Sequence, residues 1–167
     1  ELPRRLVVIG AGPIGSEMAH AFARLGSAVT VLDVASQVLP REDADMAAIV
    51  QQRMEADGVQ FKLGAKIARV EGGAAAGEPA AGSKRVVLDE DGTETVLEAD
   101  ELLVAAGRTG NIDRLDLAKA GVATEKGFIT TNSKLQTSQK HILGVGDVNG
   151  RYLFTHVAGA EGSVAVR

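Results

Sequence analysis

The sequence predicts an α/β fold, a doubly wound parallel sheet in which an antiparallel β-meander stands in place of one crossover helix. Three observations predict it. Short, continuous, branched apolar runs recur along the chain, the first ending abruptly in glycine, as strands buried on both faces do. Between the first two of them lies a segment of helical periodicity, which makes a βαβ unit of about thirty residues. Beyond Gly64 the long helical spacing gives way to short strands separated by turn residues.

The elements follow in order. Residues 6–9 form the first strand. From Pro13 to Leu25 the apolar positions Ile14, Met18, Ala21, Phe22 and Leu25 recur at helical spacing, and Gly26 stops the helix. Residues 28–32 give the second strand, whose parallel pairing with the first requires a right-handed crossover. A second helix is predicted over residues 43–56, with Met46, Ile49, Val50 and Met54 on its inner face and Gly58 at its end; residues 59–63 follow as the third strand. Residues 66–71, 85–89 and 94–97 read as the meander, the last two joined by a tight turn at Asp91-Gly92. Residues 72–82, rich in Ala and Gly without apolar periodicity, read as a flexible surface loop with no assigned function. Two further strands are expected over residues 101–105, ending at Ala106-Gly107, and 141–145, ending at Gly146-Asp147.

The chemistry begins at Gly10-Ala11-Gly12-Pro13-Ile14-Gly15, a G-x-G-x-x-G between the first strand and the first helix. In such a motif the first glycine permits the tight turn, the second lets backbone approach a pyrophosphate, and the third lets helix and strand pack closely. The helix N-terminus then offers free N–H groups and a positive dipole end to the phosphates. Asp33 ends the second strand 23 residues after Gly10. That spacing places its carboxylate at the adenosine ribose hydroxyls and against the 2′-phosphate of NADP. Residues 34–37 supply no Arg or Lys to receive that phosphate, so the pattern is that of a Rossmann-type domain for NAD rather than NADP. A loop or helix-capping carboxylate also fits Asp33 taken alone, and only the spacing from the glycines favours the ribose.

Composition narrows the classes. With 45% hydrophobic and 24% charged residues the chain has the profile of a soluble globular domain, and 167 residues suffice for one core. A net charge of −4 without any dense Lys/Arg cluster argues against nucleic acid. No apolar run approaches the roughly 18 residues of a membrane span, and no signal-peptide pattern opens the chain, so a cytoplasmic protein without a membrane partner is expected. The chain contains no cysteine, which leaves it no disulfide, thiolate metal site or redox thiol; no metal site is expected.

Residues 10–18, Leu25-Gly26, residues 31–33 and Val38-Leu39-Pro40 together resemble the NAD domain of class I pyridine nucleotide-disulfide oxidoreductases, the group of dihydrolipoamide dehydrogenases, glutathione reductases and mercuric reductases. Two later stretches sharpen the likeness. Val104-Ala105-Ala106-Gly107-Arg108-Thr109 with Asn111 is similar to the strand-end motif that closes the family's NAD domain. Residues 137–147 resemble its second FAD motif, in which the aspartate binds the ribityl chain. On the residues alone, Asp147 fits a ligand position and a turn position equally well.

The resemblance implies an NAD site of Gly10, Gly12, Pro13, Ile14, Gly15, Glu17, Asp33, Ala106, Gly107 and Arg108, with Glu17 approaching the nicotinamide, and an FAD contact through Gly146, Asp147 and His156. The bland alternatives are an exposed helix carboxylate for Glu17 and a structural imidazole for His156. It implies hydride transfer between NAD(H) and flavin in a homodimeric parent. The redox cysteines and first FAD motif would precede this chain, and the dimerisation domain would follow it. The chain would then divide into an NAD-binding domain, residues 1–140, and a segment, residues 141–167, that returns to the FAD domain. Alone it should bind NAD without disulfide reductase activity, and its apolar residues Ile142, Leu143, Val145, Val157 and Val164 should favour self-association. Two departures bear on the subfamily. Pro13 stands where several members carry a gating tyrosine, and Gly110 stands where proline is usual after Arg108-Thr109; Pro13 with Phe154-Thr155-His156-Val157-Ala158 resembles the mercuric reductase-like members. Asp33 and Leu39-Pro40 suit the dihydrolipoamide dehydrogenases. A stand-alone NAD-sensing module would share the glycine motif and Asp33 but has no use for Gly146-Asp147.

Overall fold

The computed structural model describes residues 1–72 and 83–167, which fall into two compact units, Glu1–Gly107 and Arg108–Arg167. The surface loop expected over residues 72–82 lies, apart from Gly72, outside the described residues.

The first unit is the α/β fold that the sequence predicts. Strands β1 (Arg5–Ile9), β2 (Ala28–Asp33), β3 (Gln60–Leu63) and a later strand, Glu101–Val104, form a parallel sheet in which β1 lies between β2 and the later strand and β2 pairs β3 on its other side. Helix α1 (Pro13–Arg24) connects β1 to β2, and α2 (Ala44–Ala56) connects β2 to β3. The antiparallel meander consists of β4 (Lys66–Gly72), β5 (Lys84–Glu90) and β6 (Thr93–Ala99), and Glu101–Val104 is β7. The β5–β6 turn places Asp91 and Gly92 at φ of 54° and 87°, the left-handed pair that a two-residue hairpin needs.

Alternation along β1 explains its unbroken apolar run. Leu6 and Val8 pack with Ala19, Val29, Val31, Met54 and Val59, whereas Val7 packs with Leu32, Val86, Leu88 and Ala99. The helices thus cover one face of the parallel sheet and the meander covers the other, so each strand must be apolar on both sides.

The two helices bury only part of the faces that periodicity suggested: Met54 is buried and Phe22 packs against the core, but the other large apolar residues do not. In α1 the buried residues are Gly15, Ser16 and Ala19, while Ile14 and Met18 are exposed and Leu25, just past its end, is 67% exposed. In α2, Ala47 and Met54 are buried and Met46, Ile49 and Val50 are exposed. In α1 close approach decides this outcome: a helix seated on a sheet through glycine and alanine brings backbone nearer than bulky side chains allow.

The second unit holds a small hairpin, β8 (Thr124–Glu125) and β9 (Phe128–Ile129), a 3₁₀ turn over Gly146–Asn149, and α3 (Thr155–Ala165). The strand expected over residues 141–145 is not one; only an isolated bridge joins Leu143 to Gln136. Its backbone groups are committed locally instead. Ile142 donates to Gln139 O, Thr137 donates to Ile142 O, and Gly144 donates to Leu135 O, which folds the segment back on the preceding residues. Leu143 and Val164 are exposed, and no residue of α3 is fully buried. Among the described residues, no helix is long and apolar enough to cross a membrane.

Candidate nucleotide site and flavin-motif turn

In the first unit the glycine motif, the end of β2 and the end of β7 converge. Gly10 leaves β1 with a φ of 110° and donates to Leu32 O at 2.8 Å, while Ala105 donates to Ile9 O at 2.7 Å, so the loop leaves the sheet between β2 and β7. A Cβ on Gly10 would stand 2.5 Å from Ala105 O and 3.0 Å from Ala106 N; one on Gly15 would overlap Gly10 O. These two glycines are demanded by the chain's own packing. Gly12 differs: its φ of −70° and ψ of −178° suit any residue, and a Cβ there would meet nothing within 4 Å.

Helix α1 begins directly beyond, with Pro13 in its first turn and Ser16 N donating to Gly12 O as the first helical bond. Pro13 fits there because the first-turn N–H has no helical partner to lose. The N–H groups of Ile14 and Gly15 precede that first bond and so face the space before Gly12. Glu17 lies one turn in, exposed.

Asp33 sits at the mouth of this loop, partly buried. Its Oδ2 accepts the N–H of Ala11 at 2.6 Å and its Oδ1 accepts the N–H of Ala35 at 2.8 Å. From the far side, Leu39 N donates to Ala11 O at 2.8 Å, with Leu39 itself held at a φ of 50°. Sequence reasoning did not assign Leu39 or Ser16 to this loop; Ser16 Oγ also donates to Ala11 O, at 3.1 Å. The Val38-Leu39-Pro40 stretch was the available signal. Ala106, beside Gly10, and Gly107, with a φ of 131°, end the first unit.

Arg108, Gly146, Asp147 and His156 belong to the second unit. Arg108 Nη1 lies 3.4 Å from Asp147 Oδ2 and donates to Leu153 O at 3.1 Å. Gly146, at a φ of 74°, has Ala158 where a Cβ would be, 3.0 Å away, and opens the 3₁₀ turn that presents an exposed Asp147. Glu161, which sequence reasoning passed over, holds that turn: its Oε2 accepts Gly146 N at 2.7 Å and Asn149 Nδ2 at 2.9 Å. The His156 ring stacks on Phe154 with centroids 5.4 Å apart.

Gly110 has its own reason. Its N–H donates to Gly127 O at 3.1 Å, and a Cβ would stand 3.0 Å from that oxygen, so a proline would lose the bond and crowd the carbonyl.

The family model for pyridine nucleotide-disulphide oxidoreductases matches residues 1–162. The chain belongs to that family. The dihydrolipoyl dehydrogenase of Chlorobaculum tepidum is 39% identical over 166 residues, covering 99% of this chain and 34% of that protein. Leghemoglobin reductase of Glycine max is 39% identical over 171 residues, covering 99% and 31%. Among solved structures, the copper(II) complex of the HOCl-induced flavoprotein disulfide reductase RclA from Escherichia coli superposes with a TM-score of 0.85 at 32% identity, over 99% of this chain and 35% of that one. The chain of this family member therefore spans about a third of the length of the relatives it matches.

Proposed function

We propose that this chain is the NAD(H)-binding part of an FAD-dependent disulfide oxidoreductase of the dihydrolipoyl dehydrogenase kind. Gly12 carries the reading. It is a glycine in a conformation any residue adopts, with open space where its Cβ would be, so packing within the chain gives no reason for it beyond the modest preference for glycine at a helix N-cap. A ligand that must come against the backbone gives one, and the free N–H groups of the first turn of α1 suit a pyrophosphate there. Asp33 stands at the ribose position with acceptor capacity left on each oxygen, since a carboxylate oxygen takes about two hydrogen bonds. NAD is favoured over NADP because that carboxylate repels a 2′-phosphate.

Bound nicotinamide and flavin would supply the hydride chemistry; this chain's share is to bind and orient the nucleotide. Gly10, Gly15, Ala106 and Gly107 shape the floor on which it lies, and Glu17 stands nearest the reacting end by likeness to the family. Asp147, presented by the turn that Glu161 holds, would reach a flavin's ribityl chain, and a nucleotide-sensing module has no use for such a group. Homodimerisation through other parts of a longer protein belongs to the same proposal.

Titration calorimetry of the chain with NADH and NADPH tests it. Binding of NADH in preference to NADPH is expected. Binding of neither would overturn the nucleotide assignment, and equal affinities would overturn the role of Asp33 in specificity.

A further inference from the structure

We infer that Asp33 is a positioning residue as well as a ribose acceptor, its carboxylate latching the glycine loop into shape before any nucleotide arrives. The inference rests on the nucleotide reading of that loop. The peptide of Ala11 is saturated by its own chain: its N–H goes to Asp33 Oδ2 at 2.6 Å, and its carbonyl accepts Leu39 N at 2.8 Å and Ser16 Oγ at 3.1 Å. Ala11 is fully buried. This N–H is therefore closed to a phosphate, and its partners fix the path of the backbone from Gly10 to Gly12.

The other carboxylate oxygen is anchored too, by Ala35 N at 2.8 Å, while the backbone carbonyls of Asp33 and Ala35 accept the N–H groups of Ala65 and Gly64. One side chain thus ties the loop after β1 to the loop after β2, through two charge-assisted bonds of the stronger class. Two consequences follow. The loop is preformed, so a ligand need not pay to order it. The negative charge is also immobile: the carboxylate would have to give up both N–H partners to swing away from a 2′-phosphate, so its rigidity, and not its charge alone, enforces the preference for NAD. An amide cannot replace it, because Asn offers one acceptor oxygen and would turn its NH₂ group against the second N–H.

The test is made on the nucleotide-free 167-residue chain by nuclear magnetic resonance. A scalar coupling across the hydrogen bond, from Ala11 ¹⁵N to Asp33 ¹³Cγ, is expected in the unmodified protein. Ala11 should exchange its amide at least about tenfold faster in Asp33→Ala than in the unmodified chain, and Asp33→Asn should release either Ala11 or Ala35, with the amides of β1 and β2 keeping their protection. An absent coupling, or an Ala11 amide whose exchange is the same in Asp33→Ala, overturns the latch. Should either variant fail to fold, the coupling decides alone. The two readings fail separately: a coupling seen in a chain that does not bind NADH refutes the nucleotide assignment and leaves the latch standing, whereas NADH binding without the coupling does the reverse.

Discussion

His20 Nε2 on the glycine-motif helix lies 2.6 Å from Oδ2 of Asp57, the residue that caps α2, and Arg53 pairs with the other oxygen of that carboxylate at 2.9 Å. Two helices on one face of the sheet are thereby tied at the end of α2. The bond from His20, and then the charge of Arg53, hold the Asp57 carboxyl below its ordinary value of 3.8.

The pH dependence follows from the sign of that shift. A carboxyl lowered in the folded state contributes stability that is complete above its unfolded value and is lost as pH falls through the folded one. The difference in denaturation midpoint between the unmodified chain and Asp57→Asn should therefore be present at about pH 5 and shrink below about pH 4. A difference that persists unchanged at pH 3 would show that the pair is not what ties the helices.

Substitutions in the glycine motif should separate fold from ligand. Gly15→Ala drives a methyl into Gly10 O, and Gly10→Ala adds a clash with Ala105 O to a left-handed φ of 110°, so each should cost about 2 kcal/mol or more in denaturant unfolding. Gly12→Val should cost no more than about 1 kcal/mol of unfolding free energy, the loss of a good N-cap residue, while weakening NADH binding at least about tenfold. Loss of stability in Gly12→Val equal to that in Gly15→Ala would remove the observation on which the proposed function rests.

Gly110→Pro offers a test within the second unit. The variant loses the N–H bond to Gly127 O and crowds that carbonyl. A destabilisation of about 1–3 kcal/mol by chemical denaturation is expected, and a neutral or stabilising outcome would contradict this account of why glycine stands there.

Glu161→Ala should open the turn that presents Asp147. Asn149 is only 8% exposed and would lose one of its two acceptors, and Gly146 N would lose its partner altogether. Buried donors left unpaired cost about 1–3 kcal/mol each, so amide exchange at Gly146 should accelerate by at least about tenfold, with Glu161→Gln intermediate. Equal protection in all three proteins would assign the turn to Gly146 and Gly150 alone.

The sequence by itself determined the parallel-sheet core, the β–glycine loop–α start and the Asp-Gly hairpin, because each rests on local chemistry: a period of burial, a left-handed turn, a helix stop. Burial of β1 on both faces and the positive φ of Gly10 and Asp91 are properties of a few consecutive residues and are written in them. Tertiary structure alone decided which helix faces are buried, since the contact of α1 through Gly15 and Ala19 depends on how near the sheet lies and not on where the large apolar residues fall. It also decided that residues 141–145 fold back on residues 135–139 instead of joining a sheet. The same holds for Glu161 under the Gly146 turn and for Asp33 on Ala11, residues 15 and 22 positions apart. A carboxylate's partner is chosen by the fold that brings an unpaired N–H to it, and no spacing in the sequence carries that distance.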